Sequence, residues 1–192
     1  MCRKVARKVA ERPDVSTRKK GKPEKITPKN LSEYLGPRKF IHGVALEKDE
    51  VGVSQGLAWT EVGGEIMPIE VSLVAGKGNV KLTGNLGNVM KESCEAAMTY
   101  ARAHADKLGI EADWLNTRDA HIHVPSGAVP KDGPSAGVAI ATALVSALSQ
   151  RPARKDVAMT GEISLRGRVL TVGGIKEKVL AAHRAGVTNL VL

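Results

Sequence analysis

Aromatic side chains are scarce: Phe, Trp and Tyr make up 3% of the 192 residues. Any core must therefore be built from Ala, Val, Leu and Ile, and an apolar share of 42% is enough for one domain of ordinary size. Cysteine is rarer still. Cys2 and Cys94 are too few and too far apart for a disulfide framework or a thiolate zinc site, and two reduced thiols are expected. No apolar run approaches the roughly 20 residues of a membrane-spanning helix, and no signal-peptide pattern opens the chain, so no membrane partner is expected. The five histidines include no HExxH pair, which leaves a metal-dependent mechanism without support. A GxxxxGK[ST] phosphate loop is also absent, which excludes ATP hydrolysis by this stretch of sequence.

Positive charge is plentiful but local. Residues 1–30 hold eleven Lys and Arg against three acidic side chains, a net +8. The rest of the chain holds eighteen basic and seventeen acidic side chains, a net +1. The body is nearly neutral, and the basicity belongs to an N-terminal arm. That arm reads as a solvated linker and offers a surface for DNA phosphates.

The texture changes along the chain. Cys2–Glu11 reads as the end of a helix, and Pro13–Pro28 as a linker. Thr27-Pro28 opens a short helix that Gly36-Pro37 stops. Val51–Trp59 and Ile66–Val74 are β-rich runs joined by a turn at Glu61-Val62-Gly63-Gly64, with Val80–Thr83 expected beside them. A long helix is expected from Leu86 to Leu108, with Leu86, Val89, Met90, Ala97, Met98, Ala101, Ala105 and Leu108 on its buried stripe. Next come a strand at His121–Val124, a Pro- and Gly-rich loop, and an apolar helix at Ser135–Leu148. A second hairpin spans Val157–Ser164 and Val169–Val172, and a helix follows at Ile175–Ala185. The apolar strand at Leu190–Leu192 implies that the natural chain continues. This order gives an α+β or mixed α/β sandwich, with helices packed on a mixed sheet.

Chemistry concentrates in Pro130-Lys131-Asp132-Gly133-Pro134-Ser135-Ala136-Gly137. Asp132 and Pro134 mark a helix start, which puts Ser135 in the first turn, near free backbone N–H groups and the positive end of the helix dipole. Those groups suit a serine nucleophile, because they stabilise the oxyanion that follows its attack. The alternative is that Asp-Gly-Pro-Ser merely caps a buried helix. A nucleophilic serine also needs a base. His121 and His123 alternate on a strand just upstream, and a lysine serves equally well if burial lowers its pKa. Lys176 and Lys178 lie about 200° apart around one helix, so only one of them faces the core. Ile175, Lys178 and Ala182 share a stripe, while Lys176 shares a face with Leu180. Geometry alone leaves the base open.

Three segments in order, Lys131–Gly137, Ala158-Met159-Thr160-Gly161-Glu162-Ile163 and Gly173-Gly174-Ile175-Lys176-Glu177-Lys178, resemble the peptidase domain of Lon, the ATP-dependent protease family. Leu57-Ala58-Trp59-Thr60, Gly76-Lys77-Gly78, Val89-Met90-Lys91-Glu92-Ser93 and His121-Ile122-His123-Val124-Pro125 match as well. The resemblance covers nearly the whole chain. It implies a Ser–Lys dyad of family S16, with Ser135 as nucleophile and Lys178 as general base. Thr160 would hold the lysine amine, and Asp132 would bear on switching of the serine loop. Glu70, His121 and His123 would stand around the site in supporting roles. The implied fold is the Lon-type α+β one, related to the second domain of ribosomal protein S5.

The same resemblance assigns residues 1–40 to the end of the AAA+ helical subdomain plus a basic linker, and 41–192 to a peptidase domain truncated at its C-terminus. ATP and Mg would be bound by an AAA+ module outside this sequence, with no cofactor in the chain itself. Unfolded polypeptides are the implied substrates, a homo-hexamer the implied assembly and DNA an implied partner. Bacterial cytoplasm is the expected location, ahead of the mitochondrial matrix. Two rival classes compete on the same residues. One is a small-molecule kinase that cradles phosphate at Lys131–Gly137, which leaves Thr160 and Lys178 unexplained. The other is a non-catalytic nucleic-acid-binding module, which has no use for both Ser135 and Lys178.

Overall fold

A computed structural model describes residues 1–11, 23–37, 45–111 and 113–192. The chain separates into two compact units, Met1–Ile41 and His42–Leu192. Most of the expected linker lies outside the described residues.

The first unit is a small helical assembly of α1 (Cys2–Ala10) and α2 (Leu31–Leu35). Among its described residues Tyr34 is the buried one, and its hydroxyl accepts from Lys8 Nζ at 3.0 Å and donates to Glu24. The helix expected from Thr27 starts later, at Leu31. Asn30 Oδ1 instead accepts from the Thr27 N–H at 2.7 Å and the Thr27 hydroxyl at 3.2 Å, closing a turn ahead of the helix. Gly36, at φ 83°, stops it as expected.

The second unit is built on a six-stranded mixed sheet. Its strands are β1 (Val53–Thr60), β2 (Gly63–Ala75), β3 (Val80–Thr83), β4 (Arg118–His123), β5 (Val157–Met159) and β8 (Asn189–Val191). Their spatial order is β3-β4-β2-β1-β5-β8, antiparallel in the β4-β2-β1 centre and parallel towards both edges. β6 (Glu162–Ile163) and β7 (Val169–Leu170) form a separate two-stranded ribbon. Helices α3 (Asn88–Ala103) and α5 (Gly137–Ser149) cover one face, α6 (Ile175–Arg184) lies on the other, and the single turn α4 (Ala105–Leu108) follows α3. The architecture is the mixed α+β one that the pattern implies.

Strand alternation explains both faces. Met67, Ile69 and Val71 of β2, with Ala120 and Ile122 of β4, join α3 and α5 in the larger core. Leu57, Ile66 and Ala158 turn the other way and meet Ala182 and Val187. α5 is nearly all small or branched aliphatic, and its long buried run lets it pass close to the sheet. The poverty in aromatics thus shows up as close helix–sheet contact.

Several boundaries differ from the pattern. The hairpin turn is only Glu61-Val62, because Gly63 and Gly64 pair with Thr60 and Trp59 as strand residues. β3 pairs with β4 at the sheet edge rather than with the hairpin. The long helix starts at Asn88, and at His104 it breaks, where Nδ1 lies 3.0 Å from the Tyr100 carbonyl and the ring packs on Tyr100. Val89, expected on the buried stripe, is 43% exposed. The second hairpin is split: β5 belongs to the main sheet, and only β6 pairs with β7. The chain leaves the main sheet at Gly161, whose N–H donates to Ser135 O at 2.9 Å, just after the Thr160 N–H has extended the β5–β8 pairing with a bond to Val191 O at 3.0 Å.

Candidate active site

The split after β5 carries the chain from the sheet to the start of α5. Ser135 is the middle residue of the 3-10 turn Pro134–Ala136, one turn ahead of α5. Its carbonyl accepts from the Gly161 N–H, and Val138 N–H returns a bond to Gly161 O at 3.1 Å. A Cβ on Gly137 would lie 2.9 Å from Ile163 N and 3.0 Å from Ser93 Oγ, so only glycine lets the helix start approach β6 this closely. Ser135 and Lys178 line one cleft of about 860 Å³, together with Trp59, Met67, Met90 and Asp132.

Lys178 is 2% exposed and Thr160 fully buried. Lys178 Nζ donates to Thr160 Oγ1 at 3.0 Å, and that hydroxyl donates to Ser135 O at 3.2 Å. One buried hydroxyl therefore ties the amine to the main chain of Ser135. An ammonium has three donors, and Thr160 is the one hydrogen-bond partner Lys178 Nζ finds among the described residues, with no carboxylate paired to it. Burial without a counter-charge penalises the charged form and pushes the Lys178 pKa below the 10.5 of a free lysine. Lys176, the other candidate, is exposed. Among the described residues Ser135 Oγ makes no hydrogen bond, so the two side chains face one cleft and are joined only through Thr160.

Asp132 does something other than mark its own helix. Its Oδ1 accepts from the Met90 N–H at 2.9 Å and the Gly133 N–H at 2.9 Å. Met90 is in the first turn of α3, whose N-cap is Gly87, a residue with no side chain to offer. Asp132 thus caps a neighbouring helix across space, and a Cβ on Gly87 would come 2.3 Å from its carboxyl carbon. Asp132→Ala is expected to lower stability by about 1 kcal/mol, and Asp132→Asn by less, measured by urea denaturation.

Lys131 has a role the sequence did not signal. Its ammonium donates to Gly84 O at 3.0 Å, Ser126 O at 2.8 Å and Val129 O at 3.0 Å, one carbonyl for each of its three donors. This clamp fixes the 126–131 loop, part of the cleft wall, to the turn before α3. Partial burial lowers the Lys131 pKa, against the opposing influence of Glu65. Lys131→Met is expected to cost roughly 1–2 kcal/mol and lower peptide turnover, read by thermal melts and peptide hydrolysis side by side.

Glu70, His121 and His123 lie elsewhere. His121 Nε2 and His123 Nδ1 both sit 2.7 Å from Thr83 Oγ1, which holds edge strand β3 to β4. Glu70 stands opposite His123 in the β2–β4 register. None of the three lines the cleft.

A buried lysine bonded to Thr160 and a serine at a helix start thus face one cleft. The chain belongs to the family described as the Lon protease (S16) C-terminal proteolytic domain, whose model matches residues 25–192. It is 55% identical over its whole length to the Lon protease of Syntrophomonas wolfei and 56% identical to that of Geobacter metallireducens. It is 58% identical over 163 residues, 85% of the chain, to the Lon protease of Dictyoglomus thermophilum. The chain spans 23%, 22% and 21% of the length of these relatives. It is a proteolytic domain, and its family implies a serine peptidase.

Proposed function

We propose that the chain cuts peptide bonds through a Ser135–Lys178 dyad and serves as the cutting part of an ATP-dependent Lon-type endopeptidase. The observation that carries this reading is the buried Lys178 amine, which among the described residues has no counter-ion and a single hydrogen bond, to Thr160. Burial disfavours the charged form of this amine, and a neutral amine has a lone pair free to take a proton.

In the reaction, Ser135 Oγ gives its proton to Lys178 Nζ and attacks the substrate carbonyl carbon. Backbone N–H groups at the helix start stabilise the oxyanion. Lys178 then passes its proton to the leaving amine as the C–N bond breaks, which leaves an ester on Ser135. Water, deprotonated by the neutral lysine, cleaves that ester and frees the acid. Thr160 keeps the amine aimed at the cleft through each transfer. Lys131 and Asp132 together tie the chain just ahead of Ser135 to the turn before α3 and to the start of α3. Glu70, His121 and His123 support the sheet away from the cleft, where β2, β4 and the edge strand β3 pair.

The AAA+ module that binds ATP and Mg belongs to the remainder of the full-length protein, which assembles as a hexamer. Unfolded, damaged and regulatory proteins are its substrates, the basic arm is a DNA-binding surface, and the bacterial cytoplasm is its location. Residues 1–40 join motor to peptidase. The test is cleavage of fluorescently labelled casein by this chain. Slow cleavage is expected, insensitive to ATP and blocked by a peptide boronate. Complete inertness towards unfolded protein and peptide at high enzyme concentration would contradict it.

A further inference from the structure

The end of the β1–β2 hairpin touches α6 in a way that packing alone does not require. Trp59 and Gly64 are register partners, and both abut the helix that carries Lys178. A Cβ on Gly64 would sit 2.0 Å from Glu177 O, 2.4 Å from Glu177 C and 2.9 Å from Lys178 N. These are main-chain atoms within one helix, so none can yield without moving the helix. Gly64 is not in the left-handed φ region, unlike its neighbour Gly63 at φ 123°. Gly63 is glycine for its backbone conformation, whereas Gly64 is glycine only for space.

Two further contacts fix the helix to the same pair. Arg184 Nη2, in the last turn of α6, donates to Gly64 O at 3.0 Å. Gly174, the N-cap of α6 at φ 70°, faces Trp59: a Cβ there would lie 2.8 Å from Trp59 Cβ. The hairpin end thus meets the helix at its start, at the Glu177–Lys178 peptide and at its finish. Among the described residues the Lys178 side chain has one anchor of its own, Thr160 Oγ1, so helix depth decides whether Nζ reaches it.

We infer that Gly64 is a positioning residue: its missing side chain sets how deeply α6 seats against the hairpin, and so places Lys178 Nζ against Thr160 and the Ser135 side of the cleft. A methyl at residue 64 lifts α6 by an ångström or so at the Glu177–Lys178 peptide. The amine then loses Thr160 or gains water. The cleft walls built by Met67 and Met90 stay where they are, while Gly174, Glu177 and Lys178 on the α6 side shift with the helix. The loss falls mainly on proton transfer, with a smaller effect on substrate binding. This inference rests on Lys178 being the base.

The test compares Gly64→Ala with Val62→Ala, which alters the same hairpin at a residue 95% exposed. Gly64→Ala is expected to lower kcat for an internally quenched peptide about 10²-fold, the usual cost of a 1 Å misplacement, with KM within about threefold of the parent. The rate at which a fluorophosphonate labels Ser135 should fall in parallel, and its pH profile should shift. Val62→Ala should match the parent in all three. If Gly64→Ala gives no cooperative melt, Arg184→Met decides instead, with a several-fold kcat loss at unchanged KM expected. A kcat within twofold of the parent in the deciding variant, or an equal fall in kcat and rise in KM, overturns the inference. Failure of the dyad reading looks different: the parent itself would not be labelled at Ser135.

Discussion

Ser135→Ala lowers peptide hydrolysis on the order of 10⁴-fold or more, at unchanged KM and unchanged melting temperature. Losing the nucleophile of an acyl-transfer site removes the covalent route altogether, and what is left comes from oxyanion stabilisation and binding. The structural cost is negligible, because Ser135 Oγ makes no hydrogen bond among the described residues, while the contacts that seat this turn run through its carbonyl, which alanine keeps. Activity and stability therefore come apart at this residue. Turnover of a quenched peptide and a thermal melt on the same sample check both. Substantial residual cleavage would point to a nucleophile elsewhere in the cleft.

Lys178→Met comes second in size and moves stability the opposite way. Loss of a general base costs typically 10²–10⁴-fold, and a fall of roughly 10³-fold in kcat is expected. The same substitution removes a buried amine whose charged form burial disfavours, and replaces it with an apolar chain of similar length. The folded pKa of Lys178 lies below 10.5, so between these values the unfolded chain binds more protons than the folded one. Stability contributed by a neutral Lys178 is present above 10.5 and is lost as pH falls towards the folded pKa. Lys178→Met is free of that loss. Its melting temperature should exceed that of the parent by more at pH 7 than at pH 10. Parent activity should rise with pH and level off below 10.5, as the amine gives up its proton. A melting-temperature gap of equal size at both pH values would mean that Lys178 is charged in the folded state.

How far the sequence carried this reading differs from feature to feature. Periodicity found the hairpin, the apolar α5 and the helix bearing Lys178, because each element buries one face and shows it as period 2 or 3.6. Periodicity does not divide Val157–Ser164, since Thr160 still bonds to Val191 of β8 and the chain turns from the sheet only at Gly161, whose N–H donates to Ser135 O, distant in sequence. The same limit applies to Asp132. Read locally it caps its own helix, whereas it caps α3, 42 residues away in sequence. Lys131 gave no local sign, because its three carbonyl partners are brought together by loop closure. Spacing leans only slightly to Lys178 over Lys176, the resemblance chooses Lys178, and the structure encloses Lys178 while Lys176 is exposed. Resemblance gathers Glu70, His121 and His123 around the site, and the structure sets them in the β2–β4 pairing, outside the residues that line the cleft. What is local was legible, and what depends on chain crossings was not.

One measurement bears most directly on the dyad. The chain is treated with a fluorophosphonate across a pH series, and the adduct is mapped by mass spectrometry, with Lys178→Met run in parallel. A single adduct on Ser135 is predicted, forming faster as pH rises and reaching a plateau below 10.5, with labelling almost lost in Lys178→Met. An adduct on any other residue, or equal labelling of Ser135 with and without Lys178, would contradict the account.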